Sequence, residues 1–236
     1  MLKLDQVDTY YGNSHILQRL SFEVPEGKCV ALLGRNGAGK TTTIHSIAGL
    51  TPPRQGSITY KGQPISGLPP YKIARRGIGL VPQGRRIFPS LSIRENLTVP
   101  AKDSRSTESS RQKWTLDEVY KLFPILKERE HNMGTQLSGG QQQMLAIGRA
   151  LMTNPEFILM DEPSEGLAPV IIEQVGDIIK KLKETGLSIL LVEQNFYLAC
   201  GAADEVLVMN KGHIVWKGTP QELLANEEIQ HQYLGV

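Results

Sequence analysis

The chain has 236 residues, of which 40% are hydrophobic and 21% charged, with a net charge of +2. That is the balance of a water-exposed globular protein, long enough for one large domain or a core with a smaller lobe, and too nearly neutral to argue for nucleic acid. Cys29 and Cys200 stand in no metal-ligand or redox spacing, so a disulfide-built fold is not expected and a reducing compartment fits. No apolar run approaches the ~18 residues of a membrane span. Lys3 and Asp5 sit where a signal peptide needs its apolar stretch, so the expectation is a cytoplasmic chain whose role at a membrane comes through partners.

Residues 2–33 read as strands: Leu2, Leu4 and Val7 begin one, and Ile16 to Val24 alternates as a second, closed by the turn cluster Pro25-Glu26-Gly27-Lys28. Lys28 to Leu33 is a short apolar run, the pattern of a buried parallel strand. A glycine-rich loop follows, then a helix expected from Lys40 to Leu50 and ended by Gly49 and Pro52-Pro53. Ser57 to Tyr60 and Ile78 to Val81 read as further strands. Residues 101–113 are polar and almost free of large apolar groups, the composition of an exposed loop. From Trp114 to Leu151 the pattern is helical, with Leu116, Val119, Tyr120 and Phe123 on one face and Met144, Leu145, Ile147 and Leu151 on another. Strands are expected again at Phe157–Met160 and Ser188–Val192 around a helix at Val170–Glu184. A hairpin is expected at Glu205–Lys217 around Asn210-Lys211-Gly212. The alternation of strands and helices predicts an α/β fold with a largely parallel sheet. The expected division is an α/β core with a β subdomain over 1–87 and 154–236, and an inserted helical subdomain over 88–153.

Two runs carry the chemistry. Gly34-Arg35-Asn36-Gly37-Ala38-Gly39-Lys40-Thr41 fits the phosphate loop G-x-x-x-x-G-K-[ST]. Its glycines let successive N–H groups point inward, and the helix that follows adds its positive N-terminal end. Lys40 is placed for the β- and γ-phosphates, Thr41 for Mg²⁺ and Thr42 for a neighbouring phosphate. Four apolar residues followed by Asp161-Glu162 form the acidic motif that accompanies such a loop. The strand end places Asp161 beside the metal and Glu162 where it can polarise an attacking water. Gln83, just after a strand, can touch metal and water alike.

The second run is Leu137-Ser138-Gly139-Gly140-Gln141. Its Ser, Gly and Gln open a helix with phosphate-friendly backbone donors. One chain has no use for two clamps on one nucleotide, so Ser138, Gly139, Gly140 and Gln141 are expected to serve a second subunit. Two chains would then sandwich ATP head to tail.

These motifs closely resemble those of the ATP-binding cassette of an ABC transporter, over nearly the whole chain. The resemblance implies a P-loop NTPase (RecA-like) core with an antiparallel β subdomain and a helical subdomain, binding and hydrolysing ATP with Mg²⁺. On that pattern Tyr11 matches the aromatic that stacks on adenine, Gln83 the glutamine loop and Glu162 the catalytic base. Residues 137–141 match the signature that acts in trans, and Ser164-Glu165-Gly166-Leu167-Ala168 the dimer-contact loop, with Ala168 where an Asp is common. Leu191-Val192-Glu193-Gln194-Asn195 puts Gln194 at the switch position usually held by histidine. Glutamine cannot carry a proton but can donate to a γ-phosphate. With Pro82 to Phe88, Gly166 to Pro169 and Tyr233 to Val236, the chain resembles an ATPase of the branched-chain amino-acid importers, a pattern that urea and short-chain amide importers share.

The resemblance implies two integral-membrane permeases and a second cassette, commonly one that keeps the histidine, or else a second copy of this chain. It further implies an extracytoplasmic binding protein, no nucleic acid, and a peripheral place on the cytoplasmic side of the membrane. An ABC-type ATPase working on nucleic acid or ribosomes usually carries two cassettes or long coiled coils, and neither is present. A module that binds ATP without hydrolysing it is disfavoured by Glu162. Arg85 and Arg86 are read as a contact with a partner, narrowly ahead of a solvated face.

Overall fold

The computed structural model describes residues 1–101 and 112–235. The chain opens with strands β1 (Leu2–Tyr11), β2 (Ser14–Val24) and β3 (Cys29–Leu33) and helix α1 (Lys40–Ile47). Then come β4 (Gln55–Tyr60), β5 (Gln63–Pro64), α2 (Pro70–Arg75) and β6 (Ile78–Val81). Helices α3 (Ile93–Thr98), α4 (Leu116–Leu122), α5 (Pro124–Glu128) and α6 (Gly139–Leu151) follow. The chain returns to strand with β7 (Phe157–Asp161), α7 (Pro169–Glu184), β8 (Ser188–Glu193) and α8 (Phe196–Ala202). It finishes with β9 (Glu205–Asn210), β10 (His213–Gly218), α9 (Pro220–Leu224) and α10 (Glu227–Ile229).

Two sheets result. The first is antiparallel, in the order β2-β1-β4-β5. The second runs β10-β9-β3-β8-β7-β6, parallel except for the β10 edge. Every residue of β3, β7 and β8 is buried, as expected of strands covered on both faces. Their side chains alternate between the two faces of the sheet, and Ala31 and Leu33 of β3 join a third cluster with Phe196, Ala199 and Leu223. Val30, Leu32, Phe157, Leu159, Leu190 and Val192 pack towards α1 and the antiparallel sheet. Cys29, Ile158, Met160, Ile189 and Leu191 pack towards α3 to α7. Each such aliphatic side chain stabilises the fold by about 1.5–3 kcal/mol through burial.

The strand order matters for function. β3, β8, β7 and β6 are neighbours although far apart in sequence, so the segments that leave their C-terminal ends lie along one sheet edge. Those segments carry the glycine-rich loop, Gln194, Asp161-Glu162 and Gln83, and the C-terminal edge of a parallel sheet is where ligands bind.

Several expectations need adjustment. The helix after the loop stops at Ile47, because Gly49 takes φ 75. The expected helical run 114–151 is broken: α5 starts afresh at Pro124, and a 3₁₀ turn at Gly134–Gln136 precedes α6. Helices α2, α3 and α8 to α10 have no more than seven residues each, too short for periodicity to mark them. α3 is nonetheless set by Ser92, whose side chain and Glu95 form a reciprocal cap. Of the polar stretch 101–113, residues 102–111 lie outside the described residues. Among the described residues no helix is long and apolar enough to cross a membrane.

Candidate nucleotide site

The turn from β3 into α1 depends on Gly39, which has φ 112 and sits where a Cβ would lie 3.0 Å from Leu17 Cδ2. Any other residue there is strained and crowded. α1 therefore starts directly at Lys40, which is 4% exposed. Lys40 Nζ donates to the carbonyls of Gly34 (2.9 Å) and Arg35 (3.3 Å) and pairs with Glu162 Oε1 at 3.0 Å. Glu162 follows β7 in the left-handed region at φ 47, a conformation that costs a non-glycine residue about 1–3 kcal/mol. Its N–H donates to Val192 O at 2.9 Å. Its Oε2 accepts from Gln83 Nε2 at 3.3 Å.

Asp161 is 2% exposed, and Thr41 Oγ1 donates to its Oδ1 at 3.2 Å. Burial pushes the Asp161 carboxyl up to about 6. Glu162 and Glu165 add to the rise, while the Thr41 hydrogen bond and Lys40 oppose it. The hydroxyl of Thr41, the Asp161 carboxylate and the Gln83 amide form a small set of hard oxygen donors. Such a set fits Mg²⁺, which keeps several waters and takes few protein ligands. Asn36, Gly37, Gly39, Lys40, Thr41, Thr42, Gln83 and Glu162 line one cavity of about 360 Å³.

Other candidates lie elsewhere. Gln194 lines a second cavity of about 340 Å³ with Ser164, Glu165, Gly166 and Glu193, and Glu162 borders both cavities. Tyr11 is 47% exposed and does not line the first cavity; its hydroxyl meets His45 Nδ1 at 3.2 Å and accepts from Thr51 Oγ1 at 3.3 Å.

The Ser138–Gln141 run is likewise outside the first cavity. Ser138 Oγ accepts from Gln141 N at 3.4 Å, and Ser138 N donates to Gln141 Oε1 at 3.0 Å. A Cβ on Gly140 would lie 2.8 Å from Ile171 Cγ2, so a glycine is what lets α6 close on α7. Arg85, at φ 65, donates to Glu165 O at 3.4 Å and so contacts its own chain.

The ABC transporter family model matches residues 17–165, which include both loops and both acids. The chain belongs to the ABC transporter family. It is 45% identical over 235 residues to the high-affinity branched-chain amino acid transport ATP-binding protein BraG of Pseudomonas aeruginosa, with 100% of both chains covered. It is 37% identical over 227 residues to the lipopolysaccharide export system ATP-binding protein LptB of Escherichia coli strain K12, covering 95% of this chain and 93% of that one. A nucleotide-free ATP-binding cassette from an ABC transporter superposes with a TM-score of 0.83 at 25% identity, covering 97% and 96% of the two chains. A cassette solved as a dimer after hydrolysis, bound to ADP and Pi, superposes with a TM-score of 0.80 at 26% identity, covering 93% and 99%. The chain is thus an ATP-binding cassette with the P-loop NTPase fold, and its activity is ATP hydrolysis.

One buried acid escaped the sequence reading of roles. Glu193 closes the apolar strand β8 beside Gln194 and is 1% exposed. The signal was available: a lone carboxylate at the end of an otherwise apolar buried strand.

Proposed function

We propose that this chain drives an importer for branched-chain amino acids, or other small amino acids or amides, by closing and reopening a two-cassette dimer around ATP. The full-length 45% identity to BraG carries this reading, and Gln194 at the switch position supports it. In this account residues 1–87 and 154–236 form the nucleotide core and 88–153 the helical lobe that carries the signature. Two permeases hold the cassette pair against the cytoplasmic face of the membrane, and an extracytoplasmic binding protein delivers the substrate. The second cassette keeps the histidine, or is a second copy of this chain.

The chemistry follows from the residues. Lys40 pairs with Glu162, and a γ-phosphate in the same cavity competes for that ammonium. As Lys40 turns to the phosphate, the Glu162 carboxylate becomes the base that takes a proton from water. The Gln83 amide, already hydrogen-bonded to Glu162, orients that water. Thr41 and Asp161 would hold Mg²⁺, which when bound neutralises charge on the β- and γ-oxygens. Asn36, Gly37, Gly39 and Thr42 supply phosphate donors, and Tyr11 stacks on the adenine. Gln194 donates to the γ-phosphate from the neighbouring cavity. Ser138, Gly139, Gly140 and Gln141 close over the nucleotide of the partner cassette.

Proteoliposomes holding the assembled transporter test the reading. ATP-driven uptake of leucine or of a short amide, lost with Glu162→Gln, is the expected result. ATP turnover that moves neither, and that responds to lipopolysaccharide in an outward direction, would replace it with the export role named for the LptB relative.

A further inference from the structure

Glu193 gathers four donors from two separate segments. Its Oε1 accepts from Ser164 N at 3.0 Å. Its Oε2 accepts from Ser164 Oγ at 2.8 Å, Gln194 N at 3.1 Å and Asn195 N at 3.0 Å. Ser164 belongs to the loop that begins at Glu162 and is closed on itself by Glu165 N donating to Glu162 O and Leu167 N to Ser164 O. Gln194 and Asn195 form the turn into α8, where Asn195 Oδ1 accepts from Leu198 N at 2.9 Å. Both segments line the 340 Å³ cavity that Glu162 shares with the nucleotide cavity.

We propose that Glu193 is a positioning residue, whose carboxylate locks the loop bearing Glu162 to the turn bearing Gln194 so that base and switch glutamine face the γ-phosphate as one unit. The proposal rests on the ATPase reading above. The chemistry of the bonds argues for it. Three of the four partners are backbone N–H groups, which can only donate, and an ionised carboxylate accepts at both oxygens. Burial pushes the Glu193 carboxyl up, and the hydrogen bonds from Asn195, Ser164 and Gln194 oppose that rise. A glutamine of the same shape fails in either orientation, because its NH₂ must then face at least one N–H. The strained backbone of Glu162 needs such a neighbour to hold it, since a left-handed residue persists only where its surroundings over-determine it.

The test compares the wild type, Glu193→Gln, Ser164→Ala and the double variant, each as the full chain assembled with its partner subunits. Turnover, the Kd of a fluorescent ATP analogue and the thermal midpoint are read for each. Glu193→Gln is expected to lower kcat by about tenfold or more, the effect of losing charge-assisted hydrogen bonds, with the nucleotide Kd within about threefold of wild type. Ser164→Ala, which removes only the Oγ contact, is expected to lower kcat by roughly threefold. The double variant is expected to be no slower than Glu193→Gln, because both changes break one unit. Unchanged kcat with a lowered thermal midpoint would overturn the proposal and leave Glu193 a packing group. A Kd that worsens in step with kcat, or additive losses in the double variant, would overturn it too. If Glu193→Gln does not fold, Ser164→Ala decides: slowed turnover at unchanged Kd supports the lock, and unchanged turnover refutes it. A wild-type assembly with no turnover would instead bring down the ATPase reading itself.

Discussion

The N-termini of α1 and α6 offer the same kind of backbone donors in different company. At α1 no side chain caps the helix: Gly39 stands at the cap in a left-handed conformation, with the buried Lys40 next to it paired to the half-buried Glu162. At α6 the cap lies within the chain, with exposed Ser138 and half-buried Gln141 satisfying each other's backbone N–H. An uncapped helix start with a lysine in place is built to receive an anion. At the self-capped start two backbone N–H groups already have partners. The difference teaches that one chain holds two unlike helix starts: one open, with a buried lysine in place, and one closed by its own cap, with the Arg85 guanidinium packed beside Gly139.

Breaking the open start should have the largest effect. Lys40→Ala is expected to abolish hydrolysis and weaken ATP binding tenfold or more, since a lost contact to a charged group costs roughly 1.5–3 kcal/mol. The same change leaves the Glu162 carboxylate without its cation. Calorimetry for binding and a phosphate-release assay for turnover check it; near-normal turnover would remove the loop from the mechanism.

Glu162→Gln separates binding from chemistry. Removing a general base costs on the order of 10²–10⁴ in rate, while the shape of the cavity and the Gln83 contact survive. ATP should still bind. Turnover that persists would place the base elsewhere.

The capped start of α6 is probed by Ser138→Arg. A bulky cation at an exposed cap should leave ATP binding to this chain's own loop intact and disable the site on the partner. Photo-crosslinking of nucleotide to each cassette reads the two sites separately. Loss at this chain's own loop with the partner unaffected would reverse the comparison.

The smallest effect is expected at Gln194, which can give one neutral hydrogen bond worth roughly 0.5–1.5 kcal/mol. Gln194→Ala should slow turnover about two- to tenfold. The matching His→Ala change in a histidine-bearing partner should cost more, because a charged donor bonds more strongly. Equal losses in the assembled transporter would show that the substitution at the switch position carries no mechanistic weight.

Much of this was legible in the residues because the motifs dictate local geometry. The spacing of Gly34 to Thr41 announced both the turn and the helix start, and the apolar run before Asp161 announced a buried strand. Ser138 and Gln141 announced a helix cap. Sequence patterns said less about what strand order brings together. That Gln83, Glu162 and Gln194 share one edge follows from β6, β7 and β8 being neighbours, which is a property of tertiary pairing. The Lys40–Glu162 pair spans more than a hundred residues and has no local signal. Short helices such as α8 lie below the length at which periodicity speaks, and Glu193, although it closes an apolar run, is overshadowed by the departure at its neighbour Gln194.

The central claim, carried over from the proposed function, is that ATP joins the Lys40 loop of one cassette to the Ser138–Gln141 run of another. Light scattering measures it directly on Glu162→Gln protein, alone and mixed with its partner cassette, with and without Mg²⁺-ATP. The account predicts a two-cassette species that forms with nucleotide and is lost when Ser138→Arg is added to this chain. Association that ignores ATP, or that survives Ser138→Arg unchanged, would contradict it.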